Sequence, residues 1–329
     1  MPFVNTLHPN RYHGFSVKAP FFEGWYYKLV SADEKHKLAI IPGVYQADDP
    51  QQNHSFVQVF ISNDNQTGYH RYAYDAFQAA RDAFEIRVGP NVFTGESLQL
   101  AIDDPDGRVH GALGFSDLTP WPVRWFSPGA MGWFAWVPRM ECYHGVVSMD
   151  HRIEGQLRIN QQVFDFNGGR GYIEKDWGRQ FPSAWVWTQS NHFDEPGVSL
   201  MLSVAVIPWV GRSFGGFIIG FLHDGVIHRF ATYNRSKIET FSVTDSAVEL
   251  VVRNADHRLH VRASRAEGGI LQAPTTAAMD RRIIETLDAH LAVRFEDRSG
   301  RVIFGGSGRH AGLEAVGDLA TLKKMLQTS

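Results

Sequence analysis

The feature that most constrains this chain is how often it turns. Residues 25–31 and 38–41 are apolar runs around the polar stretch 32–36, which reads as a hairpin with a loop of about five residues. The run 56–61 ends in Asn63-Asp64-Asn65-Gln66-Thr67-Gly68, and 84–88 ends in Gly89-Pro90-Asn91. The run 98–102 meets Asp103-Asp104-Pro105-Asp106-Gly107 before 109–115. In the second half, 214–222 and 226–233 flank His223-Asp224-Gly225, a strong hairpin signal because Gly tolerates positive φ there. Runs 248–253 and 259–263 flank Asn254-Ala255-Asp256-His257. Leu287, Ala289, Leu291, Val293 and Phe295 alternate with polar neighbours, as in a half-buried strand, and Asp297-Arg298-Ser299-Gly300 turns the chain into Val302-Ile303-Phe304. Such punctuation predicts an all-β chain of antiparallel barrels or sandwiches. Only residues 313–326 read as a helix, with Leu313, Val316 and Ala320 in phase and Lys323-Lys324 near its end.

At 329 residues the chain suits two domains. A weak internal echo places their boundary near Asn167-Gly168-Gly169, giving β domains 1–168 and 169–329. Phe22-Glu23-Gly24-Trp25-Tyr26 opens the first half, and Glu174-Lys175-Asp176-Trp177-Gly178 the second. With 43% apolar and 20% charged residues, a sizeable core can form. A net charge of −3 argues against nucleic acid as a partner. Cys142 is the single cysteine, so there is no intrachain disulfide and no Cys-rich metal site, and the bland reading of Cys142 near His144 is a buried thiol. The 15 His are spread singly, and no metal site is expected. No apolar run is as long as the roughly 18–20 residues of a membrane span. Met1-Pro-Phe-Val-Asn-Thr does not read as a signal peptide, so a cytoplasmic location is expected.

Phosphate-loop, His-Glu-x-x-His and Gly-x-Ser-x-Gly motifs are absent. Gly306-Ser307-Gly308-Arg309-His310-Ala311 mimics a dinucleotide fingerprint, but only 18 residues follow it, too few for the βαβ unit. Two stretches stand out instead. Residues 117–145 hold Trp121, Trp125, Trp133 and Trp136 among prolines that forbid regular structure, and read either as a loop packed on its own core or as a lid. Residues 168–193 hold Glu174 and Asp176, which share one face of a strand, and then Trp185, Trp187, Gln189 and Asn191, which share another. Burying the two carboxylates unpaired would cost several kcal/mol. Either Arg170, Lys175 or Arg179 neutralises them in a structural network, or they are acids poised against a ring-lined cavity.

Three segments carry a resemblance. Phe21-Phe22-Glu23-Gly24-Trp25-Tyr26-Tyr27-Lys28, then Gly171-Tyr172-Ile173-Glu174-Lys175-Asp176-Trp177-Gly178 with Phe181-Pro182 and Trp185-Val186-Trp187, then Ala273-Pro274-Thr275-Thr276 are together similar to motifs of the tocopherol cyclase family. That family is related to carotenoid hydratases and to cyclising enzymes on paired lipocalin-like barrels. The resemblance implies two lipocalin-like β domains and an acid-catalysed cyclisation of a prenylated quinol to a chromanol, with no cofactor. An acid protonates a trisubstituted alkene, and the phenol oxygen captures the tertiary cation. The expected acid is Asp176, with Glu174 or Glu23 as its partner, because a nearby carboxylate and apolar burial raise a carboxyl pKa from about 3.9. Trp25, Tyr27, Trp177, Trp185 and Trp187 are expected at the substrate, the indoles offering ring faces to the cation, with Gln189 and Asn191 on the quinol head. The segment around Trp121 to Trp136 would exclude water. The expected partner is a lipophilic small molecule, picked up through transient contact with a membrane surface. The alternatives are a carrier of such a molecule, or alkene hydration or another cyclisation on the same scaffold.

Overall fold

A computed structural model describes residues 5–327, so Met1 to Val4, read above for a targeting signal, lie outside the described residues. The apolar runs form strands where the sequence puts them. The first twelve are β1 (Phe21–Val30), β2 (Lys37–Gln46), β3 (His54–Ile61), β4 (Gln66–Tyr72), β5 (Phe77–Ala79), β6 (Glu85–Val88), β7 (Asn91–Thr94), β8 (Ser97–Asp104), β9 (Gly107–Ser116), β10 (Cys142–Ile159), β11 (Gln162–Asp165) and β12 (Gly169–Gly178). They form one antiparallel sheet in the order β4-β3-β2-β1-β12-β10-β9-β8-β7-β6-β5, with β11 on β10. Its inner face buries Trp25, Tyr27, Ile40, Leu100, Leu157 and Ile173 in one core. The sheet curls on itself. The Asn91 amide donates to the Tyr72 hydroxyl at 3.1 Å, and the His70 ring lies 2.8 Å from the Asp104 carboxylate, tying the β4 edge to β7 and β8.

The remaining strands are β13 (Trp185–Ser190), β14 (His192–Phe193), β15 (Ser199–Trp209), β16 (Arg212–His223), β17 (Val226–Ala231), β18 (Lys237–Val243), β19 (Ala247–Arg253), β20 (His257–Ser264), β21 (Gly269–Ala273), β22 (Arg281–Asp297) and β23 (Val302–Val316). A second antiparallel sheet runs β17-β16-β15-β13-β23-β22-β20-β19-β18, with β14 on β23. Its core holds Val186, Leu202, Phe217, Phe221, Leu250 and Leu291. Helix α1 (Leu319–Gln327) closes this core with Leu322 and Leu326. The all-β class, the two lipocalin-like sheets and the short C-terminal helix agree with the sequence reading.

The helix begins later than its periodicity suggested. Leu313 to Val316 belong to β23, and the break falls at Gly317. Its φ is +81°, and a Cβ there would lie 2.1 Å from the Ser183 carbonyl oxygen, so the position has room for glycine alone. Asp318 then caps α1, accepting from the Thr321 N–H at 3.0 Å and from its hydroxyl at 2.7 Å.

The chain divides differently from the reading at 168. One compact unit takes the chain up to Phe181 together with Gly269–Arg282, and the other takes Pro182–Gly268 and the chain from Ile283 on. Strand β12, which the sequence boundary put in the second domain, lies between β1 and β10 at the centre of the first sheet. The returning segment is held by a side chain acting as a strand edge. The Gln58 amide donates to the Gln272 carbonyl at 2.9 Å and accepts from its N–H at 2.8 Å. Tyr45 donates to the Thr275 carbonyl at 2.9 Å, and the Phe181 N–H to that of Pro274 at 3.2 Å. The third motif, 273–276, is therefore a part of the first unit.

Candidate functional site

Strand β12 sorts its side chains by alternation. Ile173, Lys175 and Trp177 turn inward, and Tyr172, Glu174 and Asp176 turn to the other face. The register with β1 carries the sorting across. Glu23, Trp25 and Tyr27 lie opposite Trp177, Lys175 and Ile173, while Gly24 and Tyr26 lie opposite Asp176 and Glu174. The sequence brought Glu23, Glu174 and Asp176 into one acid group. The sheet puts Glu23 on the opposite side from the other two.

On the inner face the charges are paired. Lys175 and Glu23, both fully buried, form an ion pair. The Lys175 ammonium also donates to the Arg11 carbonyl at 2.6 Å and lies 3.1 Å from His13 Nδ1, and the His13 N–H donates to Glu23 at 2.8 Å. Burial raises the Glu23 carboxyl, but Lys175 and His13 outweigh it and leave the pKa below its ordinary value. Burial pulls Lys175 down to about 8 against the attraction of Glu23. Glu23 is thus an ionised anchor for residues 11–13 and not a proton donor. The indoles of Trp25 and Trp177 do face a cation, but it is Lys175, 4.7 and 4.6 Å from their ring centroids. Trp177 is also stacked between His13 at 4.2 Å and Tyr143 at 5.3 Å. Tyr27 donates to the Thr94 carbonyl at 2.7 Å from within the core. Glu23, expected as an acid, and Trp25, Tyr27 and Trp177, expected at the substrate, pack here within the sheet and against the preceding segment.

The outer face gathers a histidine and two carboxylates. His144 of β10 pairs across from Asp176, placing Nδ1 3.0 Å from its Oδ1, and Nε2 3.5 Å from Glu174 Oε2. The Tyr172 hydroxyl donates to the same Glu174 oxygen at 2.5 Å. Burial lowers His144, but the charges of Asp176 and Glu174 and the hydrogen bond to Asp176 outweigh it and raise the pKa to about 9. The ring is therefore an imidazolium at neutral pH, shared between two carboxylates. Arg170 and Lys175, considered above as their counter-ions, are hydrogen-bonded elsewhere, to Asp150 at 2.6 Å and to Glu23. Burial, then Asp176 and Glu141, push the Cys142 thiol well above its ordinary value, so it stays protonated and is no nucleophile.

His144, Glu174 and Asp176 each offer an atom within 4.8 Å of the others, a spacing a metal ion could use. Yet the ring directs one nitrogen to Asp176 and the other toward Glu174. The Glu174 oxygen that faces the ring already accepts from the Tyr172 hydroxyl, so the three groups form a hydrogen-bonded and ion-paired cluster as they stand.

Beside Asp176 the sheet is bare. Gly24 is its neighbour on β1, and Gly43 of β2 is the neighbour of Gly24. A Cβ at Gly24 would meet nothing nearer than the Pro42 carbonyl at 3.8 Å, whereas one at Gly43 would strike the Phe56 ring at 2.5 Å. Gly24 is the one part-exposed residue of β1, and the Asp176 side chain is 25% exposed. Gly24 thus leaves open space on the sheet beside Asp176, with Phe22 and Tyr26 next along its strand on the same face and the Phe56 ring over Gly43. The sequence reading named His144 only beside Cys142 and Gly24 only as part of a motif, and it did not name Gly43. Only the strand register makes them neighbours of Asp176.

Trp185, Trp187, Gln189 and Asn191 belong to the second unit. Val186 of β13 enters that unit's core, so Trp185, Trp187 and Gln189 share the other face, and all three are buried. The Trp185 indole donates to Glu314 at 2.5 Å, and Glu314 lies opposite Glu285 in register, a carboxylate pair that the sequence reading did not single out. The Asn191 amide oxygen lies 2.9 Å from His192 Nδ1.

The sequence model of the family described as tocopherol cyclase-like matches residues 116–317, more than half of the chain, and spans His144, Glu174 and Asp176. Among curated proteins, the chloroplastic tocopherol cyclase of Zea mays is 26% identical over 154 residues, 45% of this chain and 32% of that protein. The probable chloroplastic tocopherol cyclase of Oryza sativa subsp. japonica is 25% identical over 152 residues, with the same coverage. The match thus spans about a third of the length of these relatives. Among solved structures, CghA in complex with Sch210972 superposes with a TM-score of 0.56 at 10% identity, over 91% of this chain and 89% of that one. Kievitone hydratase from Nectria haematococca superposes with a TM-score of 0.51 at 11% identity, over 95% of both chains. These two likenesses show a common fold. The matched segment holds the outer-face cluster, and its length establishes that the chain belongs to the tocopherol cyclase-like family.

Proposed function

We propose that this protein is an acid-base cyclase for a lipophilic prenylated quinol, with the Asp176–His144 pair delivering the proton. The observation that carries the reading is the His144 ring 3.0 Å from the part-exposed Asp176 carboxylate, beside the open space over Gly24; the carboxylates around the ring raise its pKa to about 9, which supplies the proton. An apolar tail lying over Gly24 displaces water from Asp176. The proton on the Nδ1···Oδ1 hydrogen bond passes to the carboxylate, leaving neutral His144. The Asp176 O–H bond then breaks as a C–H bond forms at the less substituted alkene carbon, and a tertiary cation results. A lone pair of the phenol oxygen closes the C–O bond, and the phenolic proton returns to the Asp176–His144 pair. Atoms balance, and the product has the mass of the substrate. Glu174, held by Tyr172 and facing His144, steadies the imidazolium between turnovers.

The exposure of Asp176 also favours a second outcome on the same residues, capture of the cation by water. Incubating the protein with a methylated hydroquinone that carries a prenyl tail separates the readings by mass. Cyclisation gives an isomer, hydration a product one water heavier, and a carrier returns the quinol unchanged, which overturns the proposal. Asp176→Asn should cut turnover about 10²- to 10⁴-fold, as expected for loss of a general acid, while the protein stays folded. Full activity in that variant would remove Asp176 from the chemistry.

A further inference from the structure

The aromatic segment between β9 and β10 does not behave as one piece. Trp121 is buried, whereas Trp125 and Phe126 are 71% and 70% exposed, with Trp133 and Val123 at 46% and 42%. Trp125 and Phe126 form the tip of a minimal hairpin, closed by the Arg124 N–H to the Ser127 carbonyl at 3.1 Å and the reverse bond at 2.9 Å. The tip is braced from behind. The Trp136 indole donates to the Trp125 carbonyl at 2.9 Å, and the two indoles meet at 5.0 Å. Trp136 itself ends the short helical turn Gly132–Trp136, where Trp133 stacks on Phe134 at 4.1 Å. A segment that folded only to cover a core would not present Trp125 and Phe126 to water on a closed turn. Contiguous exposed apolar surface of this kind marks an interaction site.

Charge selects the occupant. Between residues 118 and 140 the only ionisable side chains are Arg124 and Arg139, both exposed. Arg124 directly precedes the ring tip. Indoles beside guanidinium groups with no carboxylate among them match the boundary of a bilayer, where rings enter the acyl edge and cations meet anionic headgroups. We propose that residues 118–140 dock the protein on an anionic lipid surface, with Trp125 and Phe126 as the inserting tip. Any part in substrate pickup rests on the function proposed above. The docking itself does not, and vesicles without quinol test it alone.

The test is flotation of the whole chain with unilamellar vesicles of phosphatidylcholine, alone or with phosphatidylglycerol. The wild-type protein should float, and more so with the anionic lipid. The double variant Trp125→Ser/Phe126→Ser, altered only at exposed positions, should partition about tenfold less while keeping the wild-type melting temperature. Arg124→Gln/Arg139→Gln should remove the preference for phosphatidylglycerol. Three results would overturn the proposal: no flotation with either lipid, flotation undiminished in the ring variant, or a ring-dependent dimer in sedimentation that does not bind vesicles. If the ring variant converts a quinol dispersed in detergent at the wild-type rate, the chemistry stands whatever the vesicle result.

Discussion

Lys175 and Asp176 are consecutive, yet they serve opposite sides of one sheet under opposite rules. On the Lys175 side every charged group has its partner, rings close over the ammonium, and the carboxylate of Glu23 is held ionised. On the Asp176 side one proton is held between an imidazole and carboxylates next to a bare stretch of sheet. Buried charge that is fully satisfied gives order. Buried charge left able to change its protonation, at a place a ligand can reach, gives chemistry.

The comparison breaks first on the inner side. Lys175→Met leaves Glu23 buried without its main cation and should destabilise the protein by about 3–5 kcal/mol, the usual cost of removing one partner of a buried pair. Urea unfolding measures it, and a loss under about 1 kcal/mol would mean the inner network is dispensable.

A smaller effect sharpens the outer side. The His144 pKa of about 9 lies above its unfolded value of 6.5, so its stabilisation is complete below pH 6.5 and fades as pH rises through 9. Lys175, lowered to about 8 from 10.5, has the opposite sign, gaining stability above pH 8, so the clean window is pH 6.5 to 8. Across it the wild-type protein should lose about 2 kcal/mol, at about 1.4 kcal/mol per unit. Asp176→Asn should flatten that slope and lower the His144 titration seen by NMR. Equal slopes in the two proteins would show that the pair is not coupled.

The smallest change probes the open space at Gly24. A Cβ at Gly24 meets no clash, so Gly24→Leu should leave the melting temperature nearly unchanged, yet fill the space beside Asp176 and raise KM for a prenylated quinol about tenfold. An unaltered KM would place the substrate elsewhere.

Much of the fold was legible because turns and alternation are local properties. The Asp224-Gly225 turn stands between β16 and β17 as expected, and Glu174 and Asp176 do share a face. The helix start was misplaced because Leu313 and Val316 have the three-residue spacing of a helix face, although in β23 they lie on opposite faces, and the break at Gly317, where a Cβ would strike the Ser183 carbonyl, involves a residue far off in sequence. The site was only half legible. Asp176 and Glu174 stood out as carboxylates among rings, but Glu23, Trp25, Tyr27 and Trp177 looked equally apt, since a sequence motif does not say which residues of two strands lie opposite one another.

The sequence by itself determined the strand-and-turn rhythm, the all-β class, the family and the carboxylates worth watching, because each rests on neighbours a few residues apart. Only the tertiary structure decided that Glu23 belongs to Lys175, that His144 rather than a second carboxylate partners Asp176, and that 269–282 returns to the first unit. Those choices follow from the pairing of β12 with β1 and β10. Register between strands is fixed by the burial of whole faces, and a shift of one residue would exchange the Lys175 side of the sheet with the Asp176 side.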